Sequence, residues 1–360
     1  MQGASAAFPD TAYDVFLDAF NRAAADAGGV VRMPITLGPV RVQFEFAGPA
    51  LLPRLGAPFA HLRAPEGPAD LTIRAWDSES TGVALPKELP TAWNVYSQSL
   101  PAMSDEGAQR WTYFRPDPGL TVFDSPSQTA TYWVPAASSL TYGDIAGGFR
   151  AVIAWSMAER GMQFLHSAAV AAGDRAALIV GSSGSGKSST ALACLLNGLE
   201  YLGDDHCLLE LDASPPAVHS IYAAAKLHDA QLLRFPRLHP FVVNPNRVAP
   251  DKGVAILFPD FAELLPASRP LVAVFVPRIA NVETTTIGPI GPAAALAALA
   301  PSTLLQMASA DRGGLAAMAR LVRRIPCYSL RLGTEQKEIA SVIDAFLRSQ
   351  PAPGEPGELE

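Results

Sequence analysis

Cysteine is scarce in this chain: three residues in 360, at Cys194, Cys207 and Cys327, each inside an apolar run and none in C-x-x-C spacing. That excludes a disulfide framework or a cysteine zinc site and predicts buried thiols in a reducing compartment. Charge is sparse as well, at 17% of residues, and leans acidic, 34 Asp and Glu against 27 Lys and Arg for a formal charge of −7. A nucleic-acid partner is not expected from that balance. No apolar stretch runs unbroken to membrane-spanning length, the Ala-rich segment from Pro292 to Ala300 being too short, so no membrane partner is expected. The opening residues from Met1 to Phe16 lack a basic start followed by an apolar core. No secretory signal is therefore expected, and the sequence reads as cytoplasmic. What is abundant is hydrophobic side chain, 49% of residues, enough for cores in two domains without covalent staples.

The most informative segment runs from Ala176 to Thr190. An apolar β-type stretch, AALIV, delivers Gly181-Ser182-Ser183-Gly184-Ser185-Gly186-Lys187-Ser188-Ser189 directly into a helix-forming run. This is the G-x-x-x-x-G-K-S pattern of a phosphate-binding loop. Its glycines let backbone N–H groups face phosphate oxygens, and the helix that follows adds the positive end of its dipole. Residues 181–189 are the candidate nucleotide-binding set, with Lys187 reaching the β- and γ-phosphates and Ser188 offering its hydroxyl to Mg²⁺.

A second feature follows within one helix and one strand. Thr190 to Asn197 reads as a helix stopped by Gly198. Leu199-Glu-Tyr-Leu-Gly203 then reads as a short strand ending in Asp204-Asp205, and Cys207 to Leu211 as the return strand of a hairpin. Beside a triphosphate, one carboxylate can hold Mg²⁺ while the other takes the proton of an attacking hydroxyl.

The run Leu165-His166-Ser-Ala-Ala-Val170, the loop from Gly181 to Ser188 and the segment Tyr201-Leu-Gly-Asp204-Asp205 together resemble the HPr kinase/phosphorylase family, which shares a nucleotide fold with phosphoenolpyruvate carboxykinase. The resemblance is strong over 162–211 and weak over the rest of the carboxy-terminal half. It implies ATP and Mg²⁺ as cofactors, Lys187 and Ser188 as nucleotide and metal ligands, Asp204 as base and Asp205 as metal ligand. It also implies a histidine, His166, facing the phosphate site. The family's Glu-x-Arg-Gly-type signature is missing, and the equivalent region reads His219-Ser-Ile-Tyr222-Ala-Ala-Ala-Lys226-Leu227. With that departure and the large unrelated amino-terminal half, the chain looks more like the HPr-kinase-like enzymes of ribosomal peptide pathways, including lasso peptide clusters, which phosphorylate a serine of a precursor.

The expected organisation is an α/β chain: a small α+β domain over 1–144, suited to recognising a peptide, a P-loop catalytic domain over 145–348, and a disordered tail over 349–360. In the first part, Tyr13 to Ala25 has helical spacing, while Val40 to Phe46, Leu71 to Trp76, Thr121 to Phe123 and Thr129 to Val134 read as strands. Its aromatic residues Trp76, Trp93, Trp111, Tyr113, Phe114 and Trp133 fit core packing better than a peptide groove. In the second part, one helix is expected from Ile145 to Arg160 and a strand at Leu271 to Val276, with a partner at Val282 to Ile287. Helices are expected over 292–300, 315–324 and 335–347, with an edge strand at Cys327 to Leu332.

Between Lys226 and Lys252 the sequence is richer in cations. Phosphoryl transfer needs positive charge on the moving γ-phosphate beyond a P-loop lysine and a metal, and Lys226, Arg237 and Arg234 are the candidates. The reading is an ATP-dependent serine kinase whose substrate is a peptide or small protein; a homo-oligomer is compatible with it. A small-molecule kinase and a non-catalytic nucleotide-sensing adaptor remain as alternatives, although a degenerate sensor usually loses its base. Lys187→Ala is expected to abolish nucleotide turnover and to weaken Mg-ATP binding in calorimetry. Near-normal turnover would remove the loop from the site.

Overall fold

A computed structural model of the chain describes residues 12–87, 102–104, 107–114, 119–248, 250–306 and 314–351. It divides into two compact units, Met1–Ala57 with Arg63–Ser156, and Pro58–Leu62 with Met157–Glu360. Both mix helices with parallel and antiparallel strands.

In the first unit, helix α1 (Ala12–Asp26) buries Tyr13, Phe16, Phe20 and Ala23, which recur at helical spacing. Strands β1 (Val30–Leu37), β2 (Val40–Ala47) and β3 (Leu71–Asp77) precede the short α2 (Ser78–Thr81). Strands β4 (Ala102–Ser104), β5 (Gln109–Phe114), β6 (Gly119–Asp124) and β7 (Thr129–Val134) complete a sheet of order β1-β2-β3-β7-β6-β5-β4. Trp76, Trp111 and Trp133 are buried in the cluster under α1 and Tyr113 packs against it, so these aromatics form core. Trp93 and the side chain of Phe114 lie outside the described residues. The single helix expected over 145–160 is two, α3 (Tyr142–Gly147) and α4 (Arg150–Ala158). Gly148 is extended and Phe149 takes φ +60°, a left-handed turn that no continuous helix accommodates.

The second unit runs β8 (Gln163–Leu165), β9 (Ala168–Ala172), β10 (Arg175–Ile179), α5 (Lys187–Leu196), β11 (Glu200–Gly203), β12 (Cys207–Glu210), β13 (Ala217–His219) and β14 (Ala224–Leu227). There follow α6 (Asp229–Arg234), β15 (Gly253–Ile256), β16 (Ser268–Val282), β17 (Thr286–Pro289), α7 (Pro292–Gln306), α8 (Gly314–Arg324), β18 (Cys327–Gly333) and α9 (Gln336–Ser349). The main path is β11-β9-β10-β16-β13-β12-β8, with β18 between β16 and β17, and β14 pairs β15 in a separate ribbon. Strand β16 holds the sheet together, because its first residues pair β13 while its middle runs parallel to β10 and β18.

Three expectations change here. Strands β11 and β12 do not form a hairpin; β11 pairs β9 while β12 pairs β8 and β13, so the chain changes partners at the two aspartates. Strand β18 is interior, not an edge, and the partner expected over 282–287 pairs β18 rather than β16. Ser349 closes α9, which carries the fold slightly past the expected start of the tail; residues 352–360 lie outside the described residues. Helices α5 and α9 cover one side of the sheet and α7 and α8 the other. All three cysteines are free and buried. Among the described residues no helix is long and apolar enough to cross a membrane.

Phe275 is fully buried against Tyr328 and Phe346. Phe275→Ala is expected to destabilise the chain by about 3–5 kcal/mol, whereas Leu315→Ala, at a half-exposed position, should stay within about 0.5 kcal/mol. Urea denaturation followed by fluorescence checks both.

Candidate functional site

Two successive strand pairs change partners at the same level of the sheet. Leu165 of β8 pairs Cys207 of β12, and Ala169 of β9 pairs Gly203 of β11. The residues between those pairs, His166 and Ser167 on one strand and Asp204, Asp205 and His206 on the other, are left out of the ladder. Their backbone turns instead of pairing, which frees their side chains to converge. Gly203 is required for this turn, because a Cβ there would lie 2.9 Å from the His206 carbonyl oxygen. Asp205 follows at φ +74°, a left-handed conformation that Asp tolerates better than most residues.

The loop after β10 approaches from the neighbouring strand. Gly186 takes φ +107°, and a Cβ on it would meet Leu332 Cδ1 at 2.7 Å. Lys187 and Ser188 open α5. Lys187 is 6% exposed, and its ammonium donates to the carbonyls of Gly181 at 2.7 Å and Ser182 at 3.2 Å. Burial pulls its pKa down, while Asp204 and Asp205 act in the other direction. The lysine thus folds back on its own loop.

The two aspartates are electrostatically unlike. Asp204 is buried; desolvation, together with the charge of Asp205, pushes its carboxyl up to about 6. It accepts the Asp205 backbone N–H at 2.9 Å, and the Ser188 hydroxyl acts to lower its pKa. Asp205 pairs with the Lys226 ammonium, and its other oxygen lies 3.7 Å from His166 Nδ1. Burial opposes its charge, but Lys226, His206 and His166 together hold it well below the usual carboxylate range. His166 is itself kept neutral by burial, its pKa down to about 4. His206, not singled out from sequence, sits among Phe164, His166 and Tyr222, with ring centroids 5.0, 5.8 and 6.2 Å away. Its only signal in the sequence was its place after the aspartates.

Of the three candidate cations, the structure brings Lys226 alone to the aspartates. Arg237 donates to the Leu196 carbonyl at the far end of α5, at 2.8 Å. Arg234 lines a cavity of about 290 Å³ on the flank of α5. The cavity is walled by Gly186, Ser189, Thr190 and Ala193 of the loop and α5, by Phe235 and Ile279, and by the turn from Leu332 to Gln336. Thr190 is 1% exposed and its hydroxyl has no hydrogen-bond partner among the described residues. Gln336 gives its amide N–H to the Arg234 carbonyl at 2.9 Å, leaving its amide oxygen as an acceptor.

Among the described residues, no group of three or more His, Cys, Asp or Glu is placed to hold a metal ion alone. The Ser188 hydroxyl and the two carboxylates are nonetheless hard oxygen donors of the kind Mg²⁺ takes together with substrate phosphates.

No family model and no curated protein matches this chain. Among solved structures, the HPr(Ser) kinase/phosphatase from Coxiella burnetii is similar over 52% of this chain and 94% of that one, at 10% identity and a TM-score of 0.28.

The pKa of His166 sets a pH dependence of stability. Its folded value, about 4, lies below the unfolded one of about 6.5. Its contribution is therefore complete above about 6.5 and is lost as the pH falls toward 4, where the unfolded chain binds a proton that the folded chain refuses. Asp204, raised on folding, has the opposite sign and costs stability as the pH rises from about 3.8 to about 6. His166→Gln should flatten the loss between about 6.5 and 4 in urea midpoints measured across pH. An unchanged profile would show that His166 titrates alike in the folded and unfolded chain.

Proposed function

We propose that this chain transfers the γ-phosphate of ATP to a serine hydroxyl of a peptide or small protein, with a ribosomally made precursor of lasso type as the acceptor class. One observation carries the reading: a loop of phosphate-binding pattern and two adjacent carboxylates of opposite electrostatic character, Asp204 buried and Asp205 partly exposed, meet at the same end of the sheet. A general base must exchange its proton near neutrality, and Asp204, raised to about 6, meets that requirement. A metal ligand must stay ionised throughout, and the Lys226 ammonium favours the ionised form of Asp205. Ser188 is assigned to Mg²⁺ as a hard oxygen donor at the start of α5, and Asp205 by its charge. Bound there, Mg²⁺ would neutralise charge on the β- and γ-phosphate oxygens.

The chain's own residues supply the rest. The loop N–H groups and the start of α5 cradle the phosphates. Lys187, now bonded to the loop carbonyls, exchanges those contacts for phosphate oxygens. Asp204 takes the proton of the acceptor hydroxyl as that oxygen attacks phosphorus in line, and the bond to the ADP oxygen breaks. Lys226 adds positive charge beside the transferred group, and the neutral His166 adds hydrogen-bonding capacity. The cavity beside α5 supports a nucleoside donor: its apolar walls suit a base and sugar, and the hydroxyl of Thr190 and the amide oxygen of Gln336 supply polar partners. The chain is proposed to act at 157–351, with the amino-terminal sheet as the acceptor-recognition half.

Full-length protein with Mg-ATP and a co-encoded peptide should give a phosphopeptide by mass spectrometry. Efficient transfer to HPr, or to a free sugar or amino acid with no peptide product, would overturn the acceptor assignment. Asp204→Asn is expected to lower turnover by roughly 10² to 10⁴ while ATP still binds, whereas Asp205→Asn should mainly weaken Mg²⁺ binding in calorimetry. The reverse pattern would exchange their roles. In the wild type, turnover should fall as the pH drops through about 6, because protonated Asp204 cannot act as base.

A further inference from the structure

Lys226 lies on β14, and β14 belongs to the two-stranded ribbon with β15 rather than to the main sheet. Main-sheet pairing therefore does not set where the Lys226 ammonium falls. The approach to β14, residues 220–223, has no regular secondary structure of its own. Three contacts to it come from a segment more than 150 positions earlier in the chain. The Pro58 carbonyl accepts the Ala223 backbone N–H at 2.7 Å. The Phe59 ring, fully buried, packs on Tyr222 with centroids 5.0 Å apart. His61 Nε2 lies 2.8 Å from Ser220 Oγ. Pro58–Leu62 accordingly belongs to the second compact unit, although the chain before and after it belongs to the first.

We infer that Pro58–Leu62 is a positioning brace: it fixes residues 220–223, and through them holds Lys226 against Asp205. The geometry is continuous. Tyr222, which Phe59 supports, lies 6.2 Å from the His206 ring, and Lys226 follows Ala223 by three residues into the site. Inside the second unit, Ser220 is also held by the Ala267 carbonyl, Ala223 by Leu257, and Ala224 by the Tyr201 hydroxyl. These contacts grip the same stretch from other directions, so loss of the brace should loosen it without unfolding the sheet. A fragment that begins at residue 157 lacks the brace altogether.

The kinetic consequence rests on the phosphotransferase reading, so the test has one arm that depends on it and one that does not. In the full chain, His61→Ala and Ser220→Ala each remove one hydrogen bond, and Phe59→Leu reduces the packing on Tyr222. Hydrogen exchange of the amides in 220–227 should quicken by roughly 3- to 10-fold in each variant, with β10 and α5 unchanged. Unaltered exchange in 220–227 would overturn the brace. In the second arm, kcat for peptide phosphorylation should fall by a similar factor with the ATP Kd unmoved. His61→Gln, which keeps a donor toward Ser220, should recover most of it. In a Lys226→Met background His61→Ala should have no further effect, because its influence passes through Lys226; a full, additive loss there would overturn the proposal. Were the wild type to show no phosphoryl transfer, the kinase reading would fail and the exchange arm alone would decide the brace. If Phe59→Leu does not fold, the His61 and Ser220 variants carry both arms.

Discussion

The contact between Lys226 and Asp205 is the constraint on which the arrangement of this site depends. Two adjacent carboxylates drawn out of water cannot both ionise cheaply, since desolvation and mutual repulsion each favour the neutral form. Lys226 resolves the conflict by fixing the charge on one of them, with His166 against its other oxygen. The repulsion that remains falls on Asp204, whose carboxyl is raised into the range where it can exchange a proton. An ion pair this buried contributes little net stability compared with a well-packed apolar alternative. Its value lies in making two identical side chains chemically different.

That difference needs the aspartates to be free of the sheet, and the change of strand partners supplies this. A continuous hairpin through residues 200–210 would have alternated their side chains across two faces. Instead β11 and β12 diverge, and the parallel divergence of β8 and β9 brings His166 to the same gap. Gly203 makes the departure sterically feasible, since any side chain there would strike the backbone of His206.

The glycine-rich loop satisfies its own lysine. Lys187 is buried and bonded to two carbonyls of its own loop, so its charge is not left without hydrogen-bond acceptors. The Thr190 hydroxyl beside the adjoining cavity has no such internal partner.

The phosphate loop, its helix, the short strand before the aspartates and the amphipathic helices were legible in the sequence because each is written in consecutive residues: glycines where backbone must approach a ligand, apolar positions at helical or strand spacing. Most helix ends were read within a few residues, although α7 runs on to Gln306 past its expected end at Ala300, and the break at Gly148 and Phe149 was missed because a φ of +60° at Phe149 leaves no trace in a pattern of apolar positions. Strand pairing was less accessible. Residues 207–211 looked like a returning strand, and only competition among β8, β9 and β13 for partners decided that they were not. The same limit applied to the cations: Lys226, Arg234 and Arg237 are alike in sequence, and their separate fates at the aspartates, the cavity and the end of α5 follow from where α6 and β14 pack. The sequence by itself determined which chemical groups this chain carries and the local backbone that presents the loop. The tertiary structure alone decided which carboxylate is charged and that a segment at 58–62 completes the carboxy-terminal unit, because long-range pairing and burial depend on residues far apart in the chain.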